Sequence, residues 1–166
     1  NKSQTTLINK LFGCCRFVYN FALQKSIEFY QQNKKHLSSF NIITMLPELK
    51  EEKIWLKEVH SQALQQTIRD VDSAFSHFFK KNNKFPRFKS KKNLKRSYRL
   101  PQCFKINREK KYISIPKLGW IKFRDKFNIS KEVEFRNITV SQDGDEYFVS
   151  ICYKTNEKIK ENIFQN

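Results

Sequence analysis

Apolar side chains in the first part of the chain recur every three or four positions, the spacing of one helical face: Leu7, Leu11, Cys15, Val18 and Ala22. This stripe predicts an amphipathic helix over residues 3–32. A shorter helix is expected over residues 39–45, because Pro47 and the charged residues 48–53 interrupt the pattern beyond that point.

A second long apolar stripe follows at helical spacing: Leu64, Ile68, Val71, Phe75 and Phe78. It predicts a helix over residues 61–81. Ser61 is the expected N-cap, because a serine hydroxyl can accept hydrogen bonds from the free backbone N–H groups of a first helical turn. Asp70 and Asp72 on this helix are expected either to be solvated or to pair with an arginine.

Short runs of alternating apolar and polar residues in the second half of the chain predict strands. The runs cover residues 98–100, 104–106, 112–115, 120–124, 133–140 and 147–152. Residues 142–145 read Gln-Asp-Gly-Asp, which is a hairpin turn signal between the last two runs. The predicted fold class is therefore α+β: an N-terminal helical domain of about three helices, followed by a small antiparallel β-barrel that can be incomplete.

These patterns divide the chain into four predicted segments. Residues 1–82 form the helical domain, and residues 83–97 form a basic linker, since Pro86 prevents a continuous helix there. Residues 98–155 form the barrel, and residues 156–166 form a polar tail.

The charge balance is the strongest indication of the binding partner. The sequence has 33 Lys and Arg against 16 Asp and Glu, a formal net charge of +17. Such an excess attracts a polyanion and predicts salt-dependent binding, with nucleic acid as the first candidate. An anionic membrane surface or an acidic protein is the alternative, although no apolar run is long enough to span a membrane.

Residues 80–99, here called the basic segment, concentrate this charge without a single acidic residue. Its candidate phosphate ligands, for RNA above all, are its lysines and arginines: Lys80, Lys81, Lys84, Arg87, Lys89, Lys91, Lys92, Lys95, Arg96 and Arg99. The alternative is a solvated tether. Phe85 and Phe88 within it either pin the segment to the core or stack on unpaired bases.

The polar face of the second long helix is a candidate for base recognition: Ser61, Gln62, Gln65, Gln66 and Arg69. Glutamine can pair with two atoms of adenine in the major groove, and arginine can do so with guanine. Glutamine is also an ordinary helix-surface residue, so a purely structural role is the alternative.

No catalytic residue, metal ligand or cofactor site is predicted. The three histidines lie in different segments, and no nucleotide-binding or nucleophile-elbow motif occurs. The four cysteines, Cys14, Cys15, Cys103 and Cys152, lack zinc-site spacing. They are expected to be buried free thiols in a reducing cytoplasm; reactive or metal-bound thiols are the alternative.

Four sequence blocks together resemble the OrfB/TnpB-type proteins of bacterial insertion sequences. The blocks are L-I-N-K-L-F-G-C-C-R-F-V-Y-N at 7–20, W-L-K-E-V-H-S-Q-A-L-Q-Q-T-I-R-D-V-D-S-A-F-S-H-F-F at 55–79, F-P-R-F-K-S-K-K at 85–92 and I-P-K-L-G-W-I-K-F-R at 115–124. They occur in the order typical of the family, and the resemblance extends to about Lys154.

The resemblance implies more than the residue patterns do. Full-length family members are RNA-guided DNA endonucleases related to type V CRISPR effectors. A helical recognition domain is inserted into their wedge-like N-terminal barrel, and a RuvC-like nuclease domain with a zinc-binding insertion follows. This sequence lacks the family's first strand, the G-[I/V]-D-x-G string expected after Lys154, and the zinc cysteine pairs. The resemblance therefore implies the binding half, without cleavage by this chain alone.

For the site, the resemblance implies that the second long helix reads a short motif in duplex DNA beside the target. Ser61 and Gln65 match the reading positions, Phe40 and Thr44 face the same groove, and Gln102 matches a contact from the barrel. Gln62 and Arg69 complete the expected DNA contacts. The basic segment would hold the backbone of guide-type RNA or of the heteroduplex. A separate or downstream RuvC-like domain is a further candidate partner.

Other functions fit parts of the same pattern. The chain can belong to a nuclease whose catalytic part lies elsewhere, or it can be a truncated transposase remnant. A free-standing, nuclease-dead DNA-binding repressor is another alternative. A generic ribosome-associated basic protein would also carry this charge, but it would show no preference for a flanking motif.

Overall fold

The computed structural model describes residues 2–93, 95–124 and 133–155, so the predicted tail at 156–166 lies outside the described residues. The described helices are α1 (Lys2–Asn33), α2 (Ser39–Ile43), α3 (Leu46–Glu52), a 3-10 helix (Ile54–Glu58) and α4 (Ser61–Phe79). The described strands are β1 (Arg96–Leu100), β2 (Lys105–Asn107), β3 (Tyr112–Ile115), β4 (Gly119–Lys122), β5 (Val133–Asp143) and β6 (Glu146–Thr155). The predicted α+β class is confirmed.

The two long helices, α1 and α4, form where the apolar stripes predict them. The stripe of α1 is buried, with Val18 and Ala22 fully inaccessible, and so is the stripe of α4 around Leu64 and Ile68. The two helices pack against each other through these faces. The helical spacing in the sequence therefore reports a real helix–helix contact.

The structure corrects the prediction for residues 39–53. Helix α2 ends at Ile43, and the stretch expected to interrupt helical structure forms α3 instead. Pro47 lies in the first turn of α3, where a missing N–H removes no intrahelical hydrogen bond and the fixed φ of proline suits the helix. Leu46 and Leu49 of α3 are buried against the core, which explains why this short helix is stable.

The start of α4 also differs from the prediction. The N-cap residue is His60, whose backbone is extended, and Ser61 is already the first helical residue. The Ser61 hydroxyl does not cap the helix; its Oγ accepts a hydrogen bond of 2.6 Å from Nζ of Lys50. A side chain within the first turn points away from the free N–H groups that an N-cap residue can reach, so the prediction of Ser61 as N-cap was wrong.

The strands form two antiparallel sheets with the orders β1-β5-β6 and β2-β3-β4. The hairpin predicted at Gly144 is present, with Asp143 paired to Glu146 and Gly144 at a φ of +59°. The described strands do not close into a barrel, which agrees with the incomplete form of the predicted barrel. Among the described strands β6 pairs with β5 alone, and it carries exposed aromatic side chains, among them Phe148 and Tyr153.

The helices and the sheets share one continuous hydrophobic core. Phe12 of α1 meets Tyr98 of β1 edge to face, with ring centroids 5.6 Å apart. Leu100 and Ile138 of the first sheet and Ile113 of the second are almost completely buried in the same core. No helix among the described residues is both long and apolar enough to cross a membrane.

The four cysteines fall into two classes. Cys14 and Cys15 are buried in the core, as predicted, but Cys103 and Cys152 are exposed, so the prediction of four buried thiols was wrong. Cys103 lies in the connection after β1 at a φ of +66°, and Cys152 lies on the edge strand β6. Cys152 lies on the face of β6 opposite Val149 and Ile151, and the other side chains of that face, Phe148 and Ser150, are exposed as well.

A thiol-labelling experiment tests this division. Burial raises the pKa of Cys14 to about 11 and that of Cys15 to about 12, so neither forms a thiolate near neutral pH. We expect a maleimide at neutral pH to label Cys103 and Cys152 rapidly, and the other two only after unfolding. Because folding raises both thiol pKa values, their contribution to stability holds below about pH 9 and declines at higher pH. Rapid labelling of Cys15 in the native protein would contradict this account.

Candidate nucleic-acid interface

The basic segment is fixed to helix α1 rather than free in solvent. Asn20 of α1 donates a hydrogen bond of 3.0 Å from its Nδ2 atom to the backbone oxygen of Lys89. The backbone N–H of Lys89 in turn donates to Oδ1 of Asn20 at 2.8 Å. This pair of bonds satisfies both backbone groups of Lys89 with one side chain and anchors the middle of the segment.

The segment runs antiparallel to α1. Phe85 lies near Tyr30, towards the C-terminal end of the helix, and Lys89 lies at Asn20. Lys95 then shares a hollow with Asn9, near the N-terminal end. The eleven helical positions from residue 9 to residue 20 span about 16 Å at the normal rise of an α-helix. The charges of the segment are therefore spread along one side of a rigid rod.

The basic segment and the side of α1 against which it lies are here called the track. A concave site lies at the end of the track nearest the N-terminus of α1, and we call it the basic pocket. It has a volume of about 330 Å³ and is lined by Asn9, Phe12, Gly13, Arg16, Lys89, Ser90, Lys91, Asn93, Lys95, Arg96 and Ser97. Arg16, Lys89, Lys91, Lys95 and Arg96 contribute cationic groups, and no acidic residue lines the pocket. Such a hollow favours an anionic group strongly, because several like charges converge on one volume.

Two features of the pocket come from α1 and escaped the sequence analysis. Gly13 leaves the helix backbone open at the pocket wall, since a Cβ atom there would meet nothing within 4 Å. Arg16 lies one turn further along the same face and adds a cation to the pocket. The signal was available in the block at 7–20, where Gly13, Arg16 and Asn20 follow one another at helical spacing.

Three of the predicted phosphate ligands have charged or aromatic partners within the protein. The Nζ atom of Lys89 lies 4.2 Å from the ring centroid of Tyr19, and partial burial lowers the pKa of this lysine. Lys95 forms an exposed ion pair of 3.2 Å with Asp143. The guanidinium of Arg99 pairs with Asp70, which confirms that this aspartate has an arginine partner. A phosphate must compete with Asp70 for Arg99, so Arg99 is a weaker candidate than the sequence suggested.

Most of the other predicted ligands are exposed and carry no ion pair within the described residues. They are Lys80, Lys81, Lys84, Arg87, Lys91 and Lys92. Arg96 is half-buried at the start of β1, beside the basic pocket. Their charge is thus available to an external anion. Their role as phosphate ligands stays a prediction.

The predicted DNA contacts on α4 lie along one helical face. Ser61 and Arg69 are exposed, and Gln65 between them is half-buried. They are spaced by four residues, so their side chains stand above one another. Gln62 is also half-buried, and its Oε1 atom is buried without a hydrogen-bond partner among the described residues.

Helices α2 and α3 bring further predicted residues to the side of α4. The backbone N–H of Ser39 donates to Oδ2 of Asp72 at 3.2 Å, and Lys50 bonds Ser61 at the other end of α4. This pairing places α2 and α3 antiparallel to α4, with Phe40 72% exposed. Thr44 is exposed as well, and its hydroxyl donates to the backbone oxygen of Asn41 at 2.7 Å.

Gln102 stands apart from these contacts in the structure. It is exposed in the connection between β1 and β2, and no hydrogen bond joins it to the predicted residues of the helices within the described part of the chain. The roles of Phe40, Thr44, Ser61 and Gln102 in DNA contact stay predictions.

No group of three or more histidine, cysteine, aspartate or glutamate side chains among the described residues could hold a metal ion.

Removing the Asn20 anchor gives a test of the track. Asn20→Ala deletes two hydrogen bonds to Lys89, each worth about 0.5–1.5 kcal/mol, so we expect a loss of about 1–3 kcal/mol in unfolding free energy. The basic segment should also become more sensitive to trypsin, which cleaves after lysine and arginine. The matched control is Gln24→Ala one turn along α1, where Gln24 bonds Glu28 at 2.8 Å on the surface. Equal tryptic cleavage of the two variants would show that the anchor does not hold the segment.

A helical unit beside a hollow lined by cationic residues favours a polyanionic ligand, as nucleic-acid-binding proteins do, and the comparisons agree with this class. The helix-turn-helix domain family HTH_OrfB_IS605 matches residues 1–35, which contain the whole of α1. The chain belongs to the OrfB/TnpB-type family of insertion-sequence proteins. The first and third of the family-like blocks meet in space at this site, since Asn20 belongs to the first block and Lys89 to the third.

Three relatives show how much of other proteins the chain matches. "Putative RNA-guided DNA endonuclease InsQ" of Escherichia coli K12 is 36% identical over 146 residues, covering 87% of this chain and 36% of InsQ. A Streptomyces pristinaespiralis protein, named likewise an RNA-guided DNA endonuclease, is 38% identical over 57% of this chain and 24% of its own length. The virulence protein VsdF of Salmonella dublin is 34% identical over 53% of this chain and 83% of VsdF. The chain thus spans about a third or less of the two endonuclease-named relatives.

Proposed function

We propose that this chain is the binding part of an OrfB/TnpB-type protein. It contacts the sugar-phosphate backbone of a nucleic acid that lies along helix α1. The observation that carries the proposal is the fixed basic segment, which Asn20 holds against α1 so that five cationic residues line one pocket. The relatives named as RNA-guided DNA endonucleases support guide-type RNA and target DNA as the two ligands.

Fixing the segment matters for affinity as well as for shape. A mobile lysine-rich tether loses conformational freedom when it binds, and that loss opposes binding. The bonds between Asn20 and Lys89 order the chain before any ligand arrives. Each phosphate contact then releases condensed counterions, which makes the affinity fall steeply as salt is added. Backbone contacts of this kind position a nucleic acid but do not read its sequence.

Sequence reading is assigned in this proposal to the exposed face of α4. Gln65 and Arg69 lie on one face, and their side chains match adenine and guanine edges in a major groove. The half-buried Gln62 adds an amide whose Oε1 atom lacks a partner within the described residues. The family resemblance supports the role, since this face would then read the motif that flanks the target.

We propose that this chain binds nucleic acid and does not cleave DNA by itself. The predicted ligands carry positive charge, whereas the family's nuclease centre uses three acidic residues with metal ions. Incubation of the chain with target duplex and Mg²⁺ or Mn²⁺ should leave the DNA intact. DNA binding of this kind would also place the protein on the bacterial nucleoid.

A salt series tests the proposal. Labelled transcript of the protein's own locus, flanking duplex DNA and heparin are titrated with the chain at several salt concentrations. We expect tight RNA binding with a steep salt slope, and duplex binding that depends on the flanking sequence. Gln65→Ala should reduce the sequence preference by about 1–3 kcal/mol, whereas the control Gln24→Ala should leave it unchanged.

The outcomes separate the alternatives. Equal affinity for all polyanions, unchanged by Gln65→Ala, would reduce the protein to a generic basic protein and refute the specific proposal. Specific duplex binding without any RNA binding would favour the DNA-binding repressor instead.

A further inference from the structure

An aromatic cleft lies at the other end of the track, where α1 and α4 end and the basic segment begins. It has a volume of about 270 Å³, and its main walls are Tyr30, His36, Phe75, Phe78, Phe79 and Phe85. Phe85, for which the sequence left base stacking open as one of two roles, is one of these walls, but none of the predicted phosphate ligands or DNA contacts lines the cleft. It is therefore a site that the charge pattern did not reveal.

The rings at the mouth of the cleft have unpaired faces. Tyr30 is 45% exposed, Phe79 50% and Phe85 45%, while Phe75 beneath them is buried. Phe85 meets Phe75 at 5.5 Å and Phe78 at 5.2 Å, both nearly perpendicular, whereas Phe79 stacks on Phe75 with ring centroids 6.3 Å apart. These contacts hold the rings in place and use part of their faces, while the exposed parts of Tyr30, Phe79 and Phe85 leave ring surface open for a further planar group.

A polar network beneath the rings fixes the cleft. Nε2 of His36 lies 2.5 Å from Oδ1 of Asp72, and the other oxygen of Asp72 accepts from the backbone of Ser39. Burial raises the pKa of Asp72, but the hydrogen bonds from Ser39 and His36 outweigh this and lower it overall. The His36 ring then packs edge-on against Phe75 and Phe79. The cleft is thus built in advance of any ligand.

The charges around the cleft indicate which ligand suits it. Lys34 directly follows α1, Lys80 and Lys81 directly follow α4, and Lys84 directly precedes Phe85. All are exposed and without a carboxylate partner among the described residues. An aromatic surface ringed by cations complements a nucleotide, which has a flat base and a negative phosphate. An apolar protein segment would gain nothing from these lysines.

The cleft is also continuous with the basic pocket. The basic segment connects them, passing from Phe85 at the cleft through Lys89 to Lys95 at the pocket. The seventeen helical positions from residue 13 to residue 30 span about 25 Å. At about 3.4 Å per nucleotide, the axial rise of a strand in duplex DNA, this distance corresponds to roughly seven nucleotides, and a more extended unpaired strand covers it with fewer.

We propose that the aromatic cleft binds an unpaired nucleobase of the strand whose phosphates lie along the basic segment. The inference rests on the proposed nucleic-acid binding and makes it more specific. A fully base-paired strand offers no free base face to the cleft, so the ligand must be single-stranded, looped or bulged at this point. Strand ends, loops and splayed bases of either RNA or DNA share this chemistry.

The test uses the full chain with RNA and DNA oligonucleotides of about twelve nucleotides. Each carries 2-aminopurine at one of several successive positions, and the fluorescence reports stacking of that base. We expect a strong fluorescence change at one or two positions only. Phe79→Leu keeps an apolar side chain but removes the flat ring, so it should abolish this change and weaken single-strand binding about fivefold or more.

The matched control is Trp120→Leu, because Trp120 is also 50% exposed but lies on β4 in the sheet region. It should leave both the signal and the affinity unchanged. An abasic residue at the responsive position should weaken binding by the native chain as much as Phe79→Leu does. This arm requires no change in the protein, so a folding defect in the variant cannot obscure the result. Comparing RNA with DNA shows which strand supplies the base.

The outcomes distinguish the two proposals. If the native chain binds no oligonucleotide in a salt-dependent way, the proposed function itself fails. If binding is steeply salt-dependent but neither Phe79→Leu nor the abasic residue changes it, the cleft proposal alone is overturned, and the cleft belongs to another class of occupant.

Discussion

Replacing Arg16, Lys91 and Arg96 together with glutamine is expected to weaken RNA binding about 100-fold near 0.1 M salt. The three side chains line the basic pocket, where no acidic residue offsets their charge. Each phosphate contact to a single strand contributes about 0.7 to the salt slope, so three lost contacts reduce it by about 2. Over one decade of salt concentration below about 1 M, a slope change of 2 corresponds to about 100-fold.

The control for this prediction removes the same net charge elsewhere. Lys105, Lys110 and Lys122 are exposed on or beside the strands β2 and β4, outside the pocket. Replacing them with glutamine should change affinity and slope far less. If both triple variants lose equal affinity and slope, net charge alone governs binding, and the pocket has no special role.

Phe12→Ala is expected to cost about 3–5 kcal/mol of unfolding free energy. Phe12 is only 4% exposed, and its ring meets Tyr98 where helix α1 packs on β1. Truncation would leave a cavity at the junction of helices and sheets, and the neighbours cannot all collapse to fill it. The change would also alter one wall of the basic pocket.

The two tryptophans allow the consequence to be measured on both sides of that junction. Trp55 lies in the 3-10 helix and Trp120 on β4, so single-tryptophan variants report the two parts separately. In urea, both probes should show one shared transition, and Phe12→Ala should move both to lower urea concentration. Phe148→Ala, at an exposed ring on β6, should change stability little. A shift of the Trp55 transition alone would contradict a continuous core.

The sequence predicts α1 and α4 well, because a long apolar stripe at helical spacing has few competing interpretations. It fails at α3, because proline is favoured in the first turn of a helix but interrupts a helix in its interior, and the sequence does not show which position Pro47 occupies. It also fails for Cys152, because alternation separates the two faces of a strand but does not show which face the rest of the fold covers. Alternation alone likewise predicts strands but not their division into two sheets.

At the candidate site, too, local patterns in the sequence are predictable and tertiary contacts are not. Charge composition alone predicts the basic segment and most of the cations that the pocket contains. The anchor between Asn20 and Lys89 joins residues 69 positions apart, and no local pattern reports such a contact. Arg16 enters the pocket only because the segment packs beside α1. The aromatic cleft has the same origin, since its walls come from three separate stretches of the chain.

Cross-linking tests the central claim most directly, namely that nucleic acid lies along α1 and the basic segment. RNA from the protein's own locus, substituted with 4-thiouridine, is irradiated in complex with the chain, and the attached peptides are identified by mass spectrometry. The account predicts attachment within the basic segment, at or near Phe85, Phe88 and Lys89. Tyr147, Phe148 and Tyr153 on β6 provide an internal comparison, because they are aromatic and similarly exposed. Attachment confined to β6, with the basic segment unmodified, would contradict the account.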